Sequence, residues 1–184
     1  MTDLAYAIGQ ALGVVSTGCA IARPMCKQKR NILILNIIIN VLISSNYILI
    51  GRFGSAPMVC CVTVIQSIVS LRHHARGTSS PMGEILLFSA LYIGFGFFGV
   101  ASVPGFVWAV NQQNLLESMP IFGTLTMMAA IFAPTEQDTR KFLLVNGIIW
   151  TTYGIIQGSS TFMTNAVSGL SAGIALIRYR QKTA

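Results

Sequence analysis

Charge is what this chain has least of. Only 9% of its 184 residues are Asp, Glu, Lys or Arg, against about 25% in a soluble domain. So few charges cannot cover a water-facing surface of this size, which excludes an ordinary soluble globule and points to lipid as the solvent. Acids are scarcest, five in all. Glu84 and Glu117 stand near the ends of apolar runs, and Glu136 and Asp138 read as loop residues. They form no paired carboxylates for general acid–base chemistry, and no nucleophile elbow or phosphate loop accompanies them. The expectation is therefore no enzyme, no catalytic residue and no cofactor. The four cysteines (Cys19, Cys26, Cys60, Cys61) make no CxxC pair and no histidine lies at ligand spacing, so no metal site is expected. Cys60 and Cys61 adjoin inside an apolar run and read as small core residues. His73 and His74 sit in a basic loop and read as interfacial cations. The start, Met1-Thr2-Asp3, has neither the positive charge nor the cleavage site of a secretory signal, so the first apolar run is expected to persist as a helix.

What the chain does have is length of apolar sequence. Hydrophobic residues make up 53%, and the mean hydropathy is +0.68. Apolar runs fall near 4–22, 32–50, 55–71, 84–103, 116–133, 142–158 and 160–177. Each is about 17–20 residues, enough to cross the hydrocarbon core. The stretch 104–115, from Pro104 through Trp108, is weakly apolar and reads as an interfacial loop with Trp108 at headgroup depth. The fold class predicted is all-α, a polytopic membrane protein of seven transmembrane helices, partnered by the lipid bilayer.

The net charge of +7 could suggest nucleic acid, but the basic residues flank apolar runs and form no aromatic-interleaved patch, so no nucleic-acid partner is expected. They set orientation instead. With the N-terminus outside, the cytoplasmic loops hold Arg23, Lys27, Lys29, Arg30, Arg72, Arg76, Arg140 and Lys141, and the tail holds Arg178, Arg180 and Lys182. Only Arg52 falls on the other side. Such segregation predicts N-out, C-in and an odd number of spans.

The chain also repeats itself. Gly13, Pro24 and Arg30 match Gly123, Pro134 and Arg140 at an offset of 110. Asn40, Tyr47 and Arg72 match Asn146, Tyr153 and Arg178 at an offset of 106. The slip of four residues is about one helical turn, which keeps each residue's face. The predicted organisation is a three-helix bundle at 1–78, a linker helix and loop at 79–112, and a second three-helix bundle at 113–184. The linker inverts the chain, so the two bundles run parallel and are related by a pseudo-twofold along the membrane normal, an arrangement found in secondary transporters.

Polar residues inside apolar runs are costly and usually face a bundle interior or a wet cavity. Asn36, Asn40, Ser44 and Tyr47 lie on one face of the second helix, and Asn146, Trp150 and Tyr153 repeat the i, i+4, i+7 spacing on the sixth. Two facing stripes would line a central site. Amides donate and accept hydrogen bonds and rings stack on flat solutes. With no full charge expected mid-span, the site suits a small neutral solute, sugar- or nucleoside-like. The competing reading is interhelical glue. Gln66, Asn165 and Ser168 are further lining candidates. Pro24 and Pro134 close the first helix of each bundle and serve either as helix ends or as hinges. Pairs of small residues, Gly9/Gly13 and Gly169/Gly173, with Gly94, Gly96 and Gly99 in the fourth helix, mark close helix packing.

A 3+1+3 plan with a proline closing the first helix of each repeat (Arg23-Pro24 and Ala133-Pro134) resembles the SWEET and PQ-loop superfamily of small-solute carriers. That family lines its central site with Asn and Trp, the types found at Asn40, Asn146 and Trp150. A nearer resemblance, in AIGQALGVVSTGCAI (7–21), SIVSLR (67–72), ESMPIFGTL (117–125) and GLSAGIALIRY (169–179), is to the YgjV-type inner-membrane proteins of bacteria. The resemblance implies a bacterial inner-membrane location and, with the polar stripes, a carrier or facilitator working by alternating access between the two bundles. The alternative function is a structural or regulatory membrane protein that transports nothing. Either is compatible with a homo-oligomer.

Overall fold

The computed structural model describes residues 3–49, 55–102, 112–156 and 161–180, and these form seven helices: α1 Asp3–Met25, α2 Lys29–Leu49, α3 Ser55–Arg76, α4 Met82–Ala101, α5 Gln112–Phe132, α6 Glu136–Ile156 and α7 Thr161–Arg180. Helices α1 to α4 are long and apolar enough to cross a bilayer, and α5 carries a shorter apolar stretch, Ser118–Phe132. Their composition explains the fold: polar side chains gather inside among a hydrophobic core, and many large apolar ones face outward. Asn36, Asn46, Thr63, Gln66 and Ser67 are buried, whereas Val14, Leu86, Phe98, Leu170 and Ile177 are exposed. That pattern is stable when the surroundings are hydrocarbon, because buried polar groups then bond each other and apolar ones meet lipid.

Several boundaries differ from the sequence reading. Helix α5 begins at Gln112, inside the stretch read as a loop, whereas Pro104, Trp108 and Arg52 lie outside the described residues. Glu136 and Asp138 are not loop residues but form the first turn of α6. Thr135 caps it: the Asp138 amide donates to Thr135 Oγ1 over 3.1 Å and that hydroxyl donates to Asp138 Oδ2 over 2.7 Å. The first bond satisfies one orphan donor of the first turn, and the second holds the capping hydroxyl in place. Likewise His73 and His74 belong to the last turn of α3, and His73 Nε2 lies 2.9 Å from Glu84 Oε1 on α4.

Small residues set the closest crossings. A Cβ on Gly147 of α6 would lie 2.7 Å from Gly169 Cα of α7, and one on Gly99 would strike the Ser55 backbone. These helices touch backbone to backbone, which only glycine allows. The packing partners follow a pattern. Helix α2 packs between α1 and α3, and α6 packs between α5 and α7. Helix α1 meets α7, α3 meets α5, and α4 leans on α3 and α5. Exchanging α1, α2 and α3 with α5, α6 and α7 turns α1·α2, α2·α3 and α3·α5 into α5·α6, α6·α7 and α7·α1, all of them observed partners.

Candidate functional site: a central cavity floored by an arginine

Six of the seven helices contribute to one interior cavity; α4 does not. Asn40 and Tyr47 come from α2, Asn146 and Trp150 from α6, Ala20 and Arg23 from α1, and Cys60 and Thr63 from α3. Thr124 and Met127 of α5 and Thr164, Asn165 and Ser168 of α7 complete the wall, with Ile39 and Ile43 beside Asn40. Its open volume is about 40 Å³, room for roughly three waters at about 10–15 Å³ each.

The residues of the two stripes divide between the cavity and the packing around it. Asn146 is 3% exposed and donates from Nδ2 to Gly123 O over 2.5 Å and to Thr126 Oγ1 over 3.3 Å, which ties α6 to α5. Trp150 lies against Gly123, where a Cβ would collide with the indole. Asn40 donates from Nδ2 to Asn36 O one turn back, at 2.8 Å. Asn36, Ser44 and Tyr153 are not on the wall of this cavity. Asn36 joins Ser67 and Arg23, Ser44 Oγ lies 3.4 Å from Pro57 O, and Tyr153 packs edge-on to Trp150 with ring centroids 5.8 Å apart. Of the lesser candidates, Asn165 and Ser168 line the cavity, but Gln66 does not; it faces Tyr92 of α4.

The sequence reading missed two residues. Asn46 donates from Nδ2 to Gly9 O over 2.6 Å, binding α2 to α1 as Asn146 binds α6 to α5. The signal was the paired glycines of α1, which expose carbonyls to a neighbouring amide. The larger miss is Arg23. Read as a cytoplasmic loop cation, it lies in the last turn of α1 and is 4% exposed. Its Nη1 donates to Asn36 Oδ1 over 2.5 Å and its Nη2 to Ser168 Oγ over 2.7 Å, so it bridges α1, α2 and α7 at the cavity wall. The sequence puts no full charge mid-span, yet Arg23 brings one to the cavity wall from the end of α1. Helix α1 runs farther than its apolar run, and the three-carbon stem of Arg23 carries the guanidinium inward.

Just beyond that floor the two halves hold each other. Arg140, at the start of α6, donates to Pro24 O over 3.2 Å and Cys26 O over 3.1 Å at the end of α1, and stacks on Tyr179 at 4.6 Å. In return Lys29, at the start of α2, donates to Ala133 O at the end of α5. A cation at a helix C-terminus satisfies orphan carbonyls and opposes the dipole. Pro24 is thus buried within this joint, whereas Pro134 is exposed in the turn after α5. In the turn after α1, burial pushes the Cys26 thiol above its ordinary pKa, while the nearby charge of Arg140 pulls it down. Among the described residues no group of three or more His, Cys, Asp and Glu gathers to hold a metal.

A helical bundle with lipid-facing apolar flanks and a polar interior is a multi-pass membrane protein. The chain belongs to the Imp-YgjV family, described as a bacterial inner membrane protein, whose family model matches residues 7–183. Its place is accordingly the bacterial inner membrane. No curated protein and no solved structure matches it.

Proposed function

We propose that this protein is a seven-span carrier or facilitator of a small solute, inserted N-out and C-in, in which two three-helix units joined by α4 rock about the central cavity. The observation that carries the reading is that cavity. It takes polar or aromatic side chains from α2 and α6 at once, including Asn40, Tyr47, Asn146 and Trp150, and draws on every helix except α4. Polar groups kept in a hydrocarbon-embedded bundle face its interior or a wet cavity, where they can line a solute path. The matching of helix partners when α1, α2 and α3 are exchanged with α5, α6 and α7 supports a two-unit, SWEET-like plan. The reciprocal joint of Arg140 with α1 and Lys29 with α5 supports alternating access, since it closes one end by contacts between units that can break together. The short reach of the open volume fits a closed conformation holding a solute of few atoms.

A second reading, a structural or regulatory membrane protein, draws on the tight bonds from Asn146 to Gly123 and Thr126, which are the bonds of helix glue. Uptake into proteoliposomes separates the two. A carrier accumulates or equilibrates some member of a small-solute panel, and Asn40→Ala lowers that uptake at least several-fold with little change in melting temperature. Absence of uptake for the whole panel, with Asn146→Ala altering stability alone, would sink the carrier reading.

A further inference from the structure

Among the described residues the buried arginine has no counter-ion. Arginine stays protonated at any physiological pH, so its charge cannot be shed by titration. The two ion pairs among the described residues are His73 with Glu84 and Lys141 with Asp138, and neither involves Arg23. Its hydrogen-bond partners, Asn36 and Ser168, are neutral. Its Nε–H is buried and finds no acceptor among the described residues. A guanidinium out of water without an anion is among the costliest things a fold can keep. In a membrane-embedded bundle such a residue is a candidate functional residue.

We propose that the central cavity binds a small monocarboxylate, with Arg23 as its anion-binding residue. The chemistry of the wall selects this class step by step. One uncompensated cation borders the cavity, so one negative charge balances it and a dianion would bring a second, unpaired one. The guanidinium edge formed by Nε and an adjoining Nη is a planar fork that matches a carboxylate in bidentate fashion, which a spherical halide cannot exploit. The wall also carries the apolar side chains of Ile39, Ile43 and Met127, which can take a short alkyl chain. The open volume of about 40 Å³ suits an acid of a few heavy atoms and not a sugar ring in this conformation. The sequence alone points to a neutral solute, and the burial of Arg23 at the cavity wall points instead to an anionic one. As a statement of what is carried this rests on the carrier reading; as a statement of what binds it stands alone.

The test compares propionate with propionamide, which share shape and differ in charge, on the purified full-length protein in detergent. A ligand that binds the folded state raises the melting temperature with concentration. Propionate is expected to do so, while propionamide and chloride at the same ionic strength do not. Arg23→Gln, which retains a donor for Asn36 or Ser168, is expected to weaken propionate binding on the order of 100-fold. Because the amide comparison needs no variant, it decides the matter even if Arg23→Gln folds poorly. An equal shift from propionamide or chloride, or none from propionate, overturns the proposal. Proteoliposome flux keeps the two claims apart. Propionate binding without propionate uptake upholds the site and overturns the carrier. Uptake of a neutral solute that Arg23→Gln leaves unchanged, with no melting shift from propionate, upholds the carrier and overturns the site.

Discussion

At the scale of single residues, buried polar groups decide what this bundle tolerates. Tyr92 of α4 is fully buried, and its hydroxyl donates to Gln66 Oε1 over 2.5 Å, with Thr63 Oγ1 at 3.0 Å. Thr63 spends its own proton on Val59 O at 2.8 Å, so Gln66 depends on Tyr92 for a donor. Tyr92→Phe removes one oxygen and leaves that carbonyl oxygen short of a partner. The expected cost is about 1–3 kcal/mol, seen as a fall in melting temperature of roughly 2–4 °C per kcal/mol, with the uptake of any carried solute retained. An unchanged melting temperature would mean that Gln66 finds another donor at no cost. The legible part at this scale was residue type. Asn40, Tyr47, Asn146 and Trp150 were identifiable from spacing alone, since a polar side chain in an apolar run must turn inward. Arg23 was not. A cation at the edge of an apolar run reads as a loop anchor, and only its neighbours reveal that its head points into the protein.

At the scale of elements, the ends of α1 and α5 are each held by a cation from the other half of the chain. Removing Arg140 frees the carbonyls of Pro24 and Cys26 and the stack on Tyr179 together. Arg140→Ala is expected to loosen the end of α1 without unfolding α6, because Thr135 still caps α6. The measurement is amide hydrogen exchange across residues 20–30, which should speed up in the variant while residues 140–150 keep their protection. Uniform acceleration through the bundle would show that Arg140 supports the whole fold and not one joint. Helix positions were largely legible, because seven apolar runs near 20 residues leave little choice. Their ends were not: polar turns such as Glu136–Asp138 extend helices beyond apolar runs once a cap is present, and caps show only weakly in sequence.

At the scale of the whole molecule, direction in the membrane follows from charge. The proposed topology puts eleven of twelve basic residues on the cytoplasmic side. A green fluorescent protein fused after Ala184 is expected to fluoresce, and alkaline phosphatase at the same place to stay inactive. The reverse result would invert the topology and with it the side on which Arg140 and Lys29 close the cavity.

The amino-acid sequence by itself determined the solvent, the helical class and the inward turn of the polar stripes, because hydrophobicity and helical period are local and additive. Only the tertiary structure decided which polar groups meet. Arg23 finds Asn36 at a separation of 13 residues and Ser168 at 145, and Lys29 finds Ala133 at 104. Such meetings depend on how six helices close around one space, and no periodicity along a single helix encodes that. The charge of the cavity, and so the kind of solute it would take, belongs to this second category.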